Sequence, residues 1–172
     1  MNSIAACLSS FSRLKLLLLL VALPVLASAG EQPVWLILNP FSPETLMSTD
    51  VAEKNSLVRA GWKVTGAGLL HAESEADTGL VHRMVRPDPK GSMRMLVATP
   101  AEVSAELKAG YTTEGALGYV SLKGGPGLLT VYRYSKGPRY LWLISWADQK
   151  WAEKAGWTRE KAVFWLWAPS DK

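Results

Sequence analysis

Short apolar runs come in pairs along this chain, and each pair leads into a polar stretch that opens on a capping residue and closes on glycine. The paired runs are 34–38 with 46–48, 81–85 with 95–97, and 131–134 with 141–144, separated by turns rich in Pro, Gly, Asn and Ser. They predict hairpin strands. Asp50, Thr99 and Ser145 each stand 11 positions before a glycine, and Glu53, Glu102 and Asp148 follow them at the third position. A side-chain oxygen at the first place and an acid three residues on satisfy the free N–H groups of an opening helical turn. Pro100 sits at a first helical position, where its missing N–H costs nothing. Arg59, Lys108 and Lys154 then favour the negative end of the helix dipole, and Gly61, Gly110 and Gly156 supply left-handed stops. Three helices of about three turns are predicted. A third apolar run follows each helix, at 67–70, 116–120 and 162–167.

The triplets Ala60-Gly61-Trp62, Ala109-Gly110-Tyr111 and Ala155-Gly156-Trp157 mark the period, with glycines 49 and 46 residues apart. Units of about 33–71, 79–121 and 127–169 follow, joined by the turn-rich connections 72–78 and 122–126. A single unit of this size cannot bury its own apolar face. The fold class expected is therefore α+β: three strand-strand-helix-strand repeats closed into one pseudo-threefold domain spanning 30–172.

The first 29 residues have a different character. Arg13 and Lys15 precede an apolar run at 16–26, and Ala27-Ser28-Ala29 supplies a small-residue cleavage site, the order of a secretory signal peptide. The expected product is exported, to the periplasm or the exterior, with no transmembrane anchor in its mature form. Cys7, the only cysteine, would leave with the signal, so no disulfide, thiolate nucleophile or cysteine metal site is expected in the product. Of 19 basic residues, removal of Arg13 and Lys15 leaves 17 against 15 acidic. So small an excess gives no reason to expect nucleic acid as a partner.

The units resemble a family of tandem repeats found in secreted proteins and known as a domain of unknown function, whose units read roughly V-Y-R, H-F-Y-T-T, A-G-W and E-G-x-A-F. Val131-Tyr132-Arg133, Ala155-Gly156-Trp157, Glu160 and Ala162-Val163-Phe164 carry the likeness best. Val81-His82-Arg83, Ala109-Gly110-Tyr111 and Glu114-Gly115-Ala116 carry it in the second unit. Thr45, Arg94 and Tyr140 stand where the family has the histidine of H-F-Y-T-T. Such domains often accompany carbohydrate-active or cell-wall domains, and the resemblance implies contact with the envelope or with glycan.

Comparison between units singles out one pairing. Arg83 and Arg133 occur with Glu114 and Glu160, four residues past the repeat glycines, whereas the first unit has Leu36 and Thr65 in both places. Intra-unit, partly buried Arg–Glu pairs are expected. Trp62, Tyr111 and Trp157 are expected to close the core, while Trp142, Trp146, Trp151, Trp165 and Trp167 crowd into the third unit.

The candidate ligand-binding residues are the basic and tyrosine side chains of the hairpin regions, Arg86, Lys90, Arg94, Lys136, Arg139 and Tyr140. Brought to one end, they would offer phosphate or carboxylate groups a positive surface. Only two histidines, His71 and His82, are present, with no metal-ligand spacing, Gly-x-Ser-x-Gly elbow or phosphate-cradling loop. No catalytic residue, metal or cofactor is assigned. The function expected is an exported, non-enzymatic binding module for cell-envelope or extracellular glycan, including anionic polysaccharide. The alternative is a protein–protein adaptor that uses the tryptophan-rich third unit.

Overall fold

The computed structural model describes residues 30–42, 44–89 and 91–169. The expected signal peptide, Cys7 and the candidate Lys90 lie outside the described residues. In chain order the elements are β1 (Glu31–Asn39), β2 (Glu44–Ser48), α1 (Val51–Arg59), β3 (Lys63–His71), β4 (Thr78–Asp88), β5 (Gly91–Val97), α2 (Pro100–Lys108), β6 (Thr112–Ser121), β7 (Leu128–Lys136), β8 (Arg139–Leu143), α3 (Trp146–Lys154) and β9 (Thr158–Trp167).

The helices begin and end where the local chemistry puts them. Thr99 and Glu102 form a reciprocal capping box, Asp50 accepts from the Ala52 N–H, and Ser145 accepts from the Asp148 N–H. At the other end Gly61, Gly110 and Gly156 take φ of +89°, +86° and +80°. The N–H groups of Gly61 and Trp62 donate to Val58 and Leu57 O, the paired hydrogen bonds of a Schellman stop. The same two bonds recur after α2 and α3.

The expected fold class is nevertheless wrong. Strand, strand, helix and strand do follow one another three times along the chain, but the result is not a pseudo-threefold α+β domain. All nine strands join one antiparallel sheet in the order β2-β1-β3-β6-β9-β7-β8, with β4 and β5 branching from β6. No residue of α1 or α2 is buried, and α3 buries only Gln149 and Ala152, so the helices skirt a β protein and form no layer of its core. Caps and glycine stops are strong local signals, whereas the weight of an element in the core depends on contacts that no local pattern records.

Three long ladders, β1 with β3, β4 with β6 and β7 with β9, carry most of the sheet. They meet through single residue pairs, His71 with Tyr119, Leu69 with Trp167, and Ser121 with Trp165. His71 also stacks on Trp167 with ring centroids 3.5 Å apart. The main core gathers Val34, Leu36, Met84, Leu96, Val131, Trp142 and Phe164, while a second cluster places Tyr134, Leu141 and Ala152 around Trp157. Of the three aromatics expected in the core, Tyr111 and Trp157 are buried and Trp62 is half-buried.

Each long ladder is irregular, and the irregularity has a use. The β4–β6 register passes from Arg83 opposite Gly115 to Met84 opposite Thr113, so Glu114 is the extra residue of a bulge. In β9 the register slips between Ala162 and Arg159, a stretch that contains Glu160. A bulge re-aims a side chain that regular alternation would send to the other face. In β3 the extra residue is Thr65, which is buried and donates to the Leu36 carbonyl.

Candidate functional site

The turns of the three hairpins converge at one end of the molecule. In the β1–β2 turn, Asn39 Oδ1 accepts from the N–H groups of Phe41 (3.0 Å) and Ser42 (3.2 Å), a side-chain-bonded turn that leaves Phe41 82% exposed. In the β7–β8 hairpin, Lys136 pairs with Arg139 across Gly137 and Pro138. Gly137 takes φ +59° and proline cannot follow with positive φ, which makes this a II′ turn. Together with Asp88 and Pro89 from the β4–β5 turn, and with Trp151, Ala155 and Trp157 from the last turn of α3 and beyond, they line a cleft of about 680 Å³.

Two kinds of surface meet in this cleft. Phe41, Pro89, Pro138, Trp151 and Trp157 make it largely apolar. Ser42, Asp88, Lys136 and Arg139 supply hydrogen-bonding groups of both senses. The Arg139 guanidinium is held loosely, with Nη1 3.5 Å from Ser42 Oγ and Nη2 3.9 Å from Asp88 Oδ1. Arg139 also borders a smaller hollow with Glu44, Ser92, Met93, Arg94 and Tyr140.

Among the described residues, the other candidate cations each have a partner within the protein. Arg94 Nη1 lies 2.5 Å from Glu44 Oε1, and its Nε lies 3.1 Å from Glu114 Oε2. Burial works against the Arg94 charge, yet the hydrogen bonds it donates to Glu114 and Glu44, with the attraction of both carboxylates, outweigh it and hold the pKa above the usual arginine value. Arg86 Nη1 donates to Ala109 O at 2.9 Å and its guanidinium lies 4.8 Å from the centre of the Tyr111 ring. Lys136 Nζ donates to Ala155 O at 2.6 Å. Both carbonyls are helix C-caps, where a cation offsets the negative end of the dipole. The Tyr140 ring lies 5.4 Å from the Arg133 guanidinium.

Of the six candidates, then, Arg94, Arg139 and Tyr140 share the small hollow, Lys136 and Arg139 share the cleft, and Arg86 sits at the end of α2. Lys90 is not among the described residues. Sequence reasoning missed Phe41, Ser42 and Asp88. Its usable signal was Phe41 itself, a large ring inside the turn sequence Asn39-Pro40-Phe41-Ser42-Pro43, where burial is hard to arrange.

Both expected Arg–Glu pairs form. Arg133 Nε is 2.6 Å from Glu160 Oε2. Arg83 Nε is 3.0 Å from Glu114 Oε2 but lacks the alignment of a hydrogen bond, while its Nη1 donates to Glu53 Oε2 at 2.9 Å. The result is a continuous alternation of charge, Glu53–Arg83–Glu114–Arg94–Glu44, that ties α1, β4, β6, β5 and β2 together. Its Arg94–Glu44 end lines the smaller hollow that Arg139 borders.

Among the described residues no group of three or more His, Cys, Asp or Glu side chains is placed to hold a metal ion. No helix among them is long and apolar enough to cross a membrane. The family model described as Domain of unknown function (DUF5648) matches residues 31–167, and the chain belongs to that family. No curated protein and no solved structure matches it.

Proposed function

We propose that this member of the DUF5648 family is an exported, non-enzymatic binding module whose ligand is a saccharide of the cell envelope or the extracellular space. The observation that carries the reading is the cleft between the hairpin turns, where exposed aromatic surface lies beside donors and acceptors. Its volume, about 680 Å³, falls within the range of small-molecule sites, about 300–1,000 Å³. A pyranose ring presents C–H groups on its faces and hydroxyls around its edge. Trp151 and Phe41 suit the faces, and Asp88, Lys136, Arg139 and Ser42 suit the edge.

Export rests on the signal-like order of residues 1–29 and is tested by expressing the whole chain in a secreting host. The exported product should begin at Gly30; retention of the full-length N-terminus overturns it. Binding is tested on a glycan array with wild-type protein and Trp151→Ala. Loss of the wild-type hits in the variant supports the cleft, and release of sugar from any hit would make the protein an enzyme.

A second reading has one specific support. Trp146 is 65% exposed at the start of α3, with the Lys150 ammonium 4.2 Å from its ring centre, a surface suited to a protein partner. A partner protein captured by wild type, lost with Trp146→Ala and kept with Trp151→Ala would favour that adaptor role.

A further inference from the structure

A second cavity, of about 500 Å³, opens between α2 and the β4–β6 ladder and shares no lining residue with the cleft. Equivalent places within the chain show why it is there. Trp35, His82 and Tyr132 stand on the first strands of the three hairpins, opposite Ser48, Val97 and Leu143 on one side and Ala67, Ala116 and Ala162 on the other. The helices that follow open at the caps Asp50, Thr99 and Ser145, two residues past Ser48, Val97 and Leu143. In the first segment the Trp35 ring meets its helix, with the Lys54 ammonium of α1 4.5 Å from the ring centre. In the third, Tyr132 packs against the cluster that holds Ala152 of α3, and the Arg159 guanidinium lies 3.9 Å from its ring centre. In the second, His82 replaces Trp35, and Val103, four residues past its cap as Lys54 is past Asp50, replaces the lysine. Both are smaller, and the space between strand and helix stays open.

The lining defines what could fill it. Leu80, Leu122, Val103 and Leu107 make the walls apolar, and among the described residues no Asp, Glu, Lys or Arg lines them. An ion would lose its hydration here without gaining a countercharge. Polar groups come from the sheet side, where Tyr119 pairs with Leu80, two residues from His82 along β4. Among the described residues neither the His82 imidazole nor the Tyr119 hydroxyl has a hydrogen-bond partner. The volume lies within the range of small-molecule sites, about 300–1,000 Å³. We infer that this cavity is a second binding site, for a small uncharged aromatic molecule whose ring stands where Trp35 and Tyr132 stand in the other two segments and whose polar group bonds to His82 or Tyr119. It does not depend on saccharide binding in the cleft.

The test is titration of the purified protein with indole and with phenol, followed by amide chemical shifts in nuclear magnetic resonance. Saturable shifts are expected at Leu80, Val103, Leu107 and Tyr119. His82→Trp refills the space as the first segment does and should abolish them. Val103→Lys copies the other half of that arrangement from a half-buried helix position, and should weaken binding even if the tryptophan variant fails to fold. Benzoate and protonated tryptamine, matched in size but charged, should bind more weakly than either neutral probe. The inference is overturned if neither neutral probe gives saturable shifts, if the shifts fall only on the cleft residues, or if binding survives in both variants with the fold intact. Charged probes that bind as tightly as indole overturn it as well. Shifts at the same four amides on dilution of the protein alone would mean that a second copy of the chain fills the space instead, and would also overturn it.

Discussion

Arg133 Nε lies 2.6 Å from Glu160 Oε2, the arginine on β7 and the glutamate in the irregular stretch of β9. The two side chains keep 20% and 27% of their surface in water. The pair is therefore neither a surface ion pair nor a fully desolvated one. Replacing either partner, as Arg133→Met or Glu160→Gln, should cost about 1–3 kcal/mol in denaturant unfolding. The double variant should recover part of that loss, with a coupling energy near 1 kcal/mol. Strict additivity would mean that the contact is incidental and that the slipped register of β9 serves something else.

Gly79 occupies a position that no larger residue can take. A Cβ there would lie 2.2 Å from the Ala98 carbonyl oxygen and 3.0 Å from Leu122 Cδ2, so backbone would have to move. Gly79→Ala should destabilise the protein by about 2–3 kcal/mol. At Gly125, where the nearest atom is Leu128 Cδ1 at 3.8 Å, the same change should stay within about 0.5 kcal/mol. Chemical denaturation of the two variants side by side checks this, and equal effects would contradict it.

Two of the 5 tyrosines should resist ionisation. Burial raises the pKa of Tyr134 above 10.0, helped by the nearby Glu153 carboxylate, and burial raises that of Tyr111 although Arg86 opposes it. A raised folded pKa means that the neutral phenol is favoured in the folded state. The stability this confers is fully present below pH 10 and is lost as pH climbs through the raised value. Ultraviolet difference titration should show a late fraction that coincides with alkaline unfolding, and Tyr134→Phe should shrink it. Simultaneous ionisation of all five near the ordinary value, with the fold intact, would refute the assignment.

Helix boundaries were legible because their causes are local. Thr99 and Glu102 are three residues apart, and Gly110 needs only its own freedom at positive φ. The Arg83–Glu114 and Arg133–Glu160 pairs were legible by a different route, the joint absence of both residue types from the first unit. The fold class was not. Whether a nine-residue helix contributes to a core is decided by partners far along the chain, and here α1 and α2 contribute no buried residue.

The candidate site was half legible for the same reason. Lys136 and Arg139 announce themselves as charges on a hairpin, but their surroundings do not. Glu44 reaches Arg94 from 50 residues upstream, and Ser42 reaches Arg139 from 97 upstream. The charges are legible as residues, while the partners that hold them come from distant parts of the chain.

The single-pair junctions between the long ladders bear on where this polypeptide can be interrupted. The connections at 72–77 and 122–127 run between ladders, so a break in either would sever no extended run of interstrand hydrogen bonds. A nicked molecule would be held by the His71–Trp167 stack and the shared core. These two connections are thus the natural places to graft an insert or to move the chain ends, whereas the tight II′ turn at Gly137 and Pro138 is not.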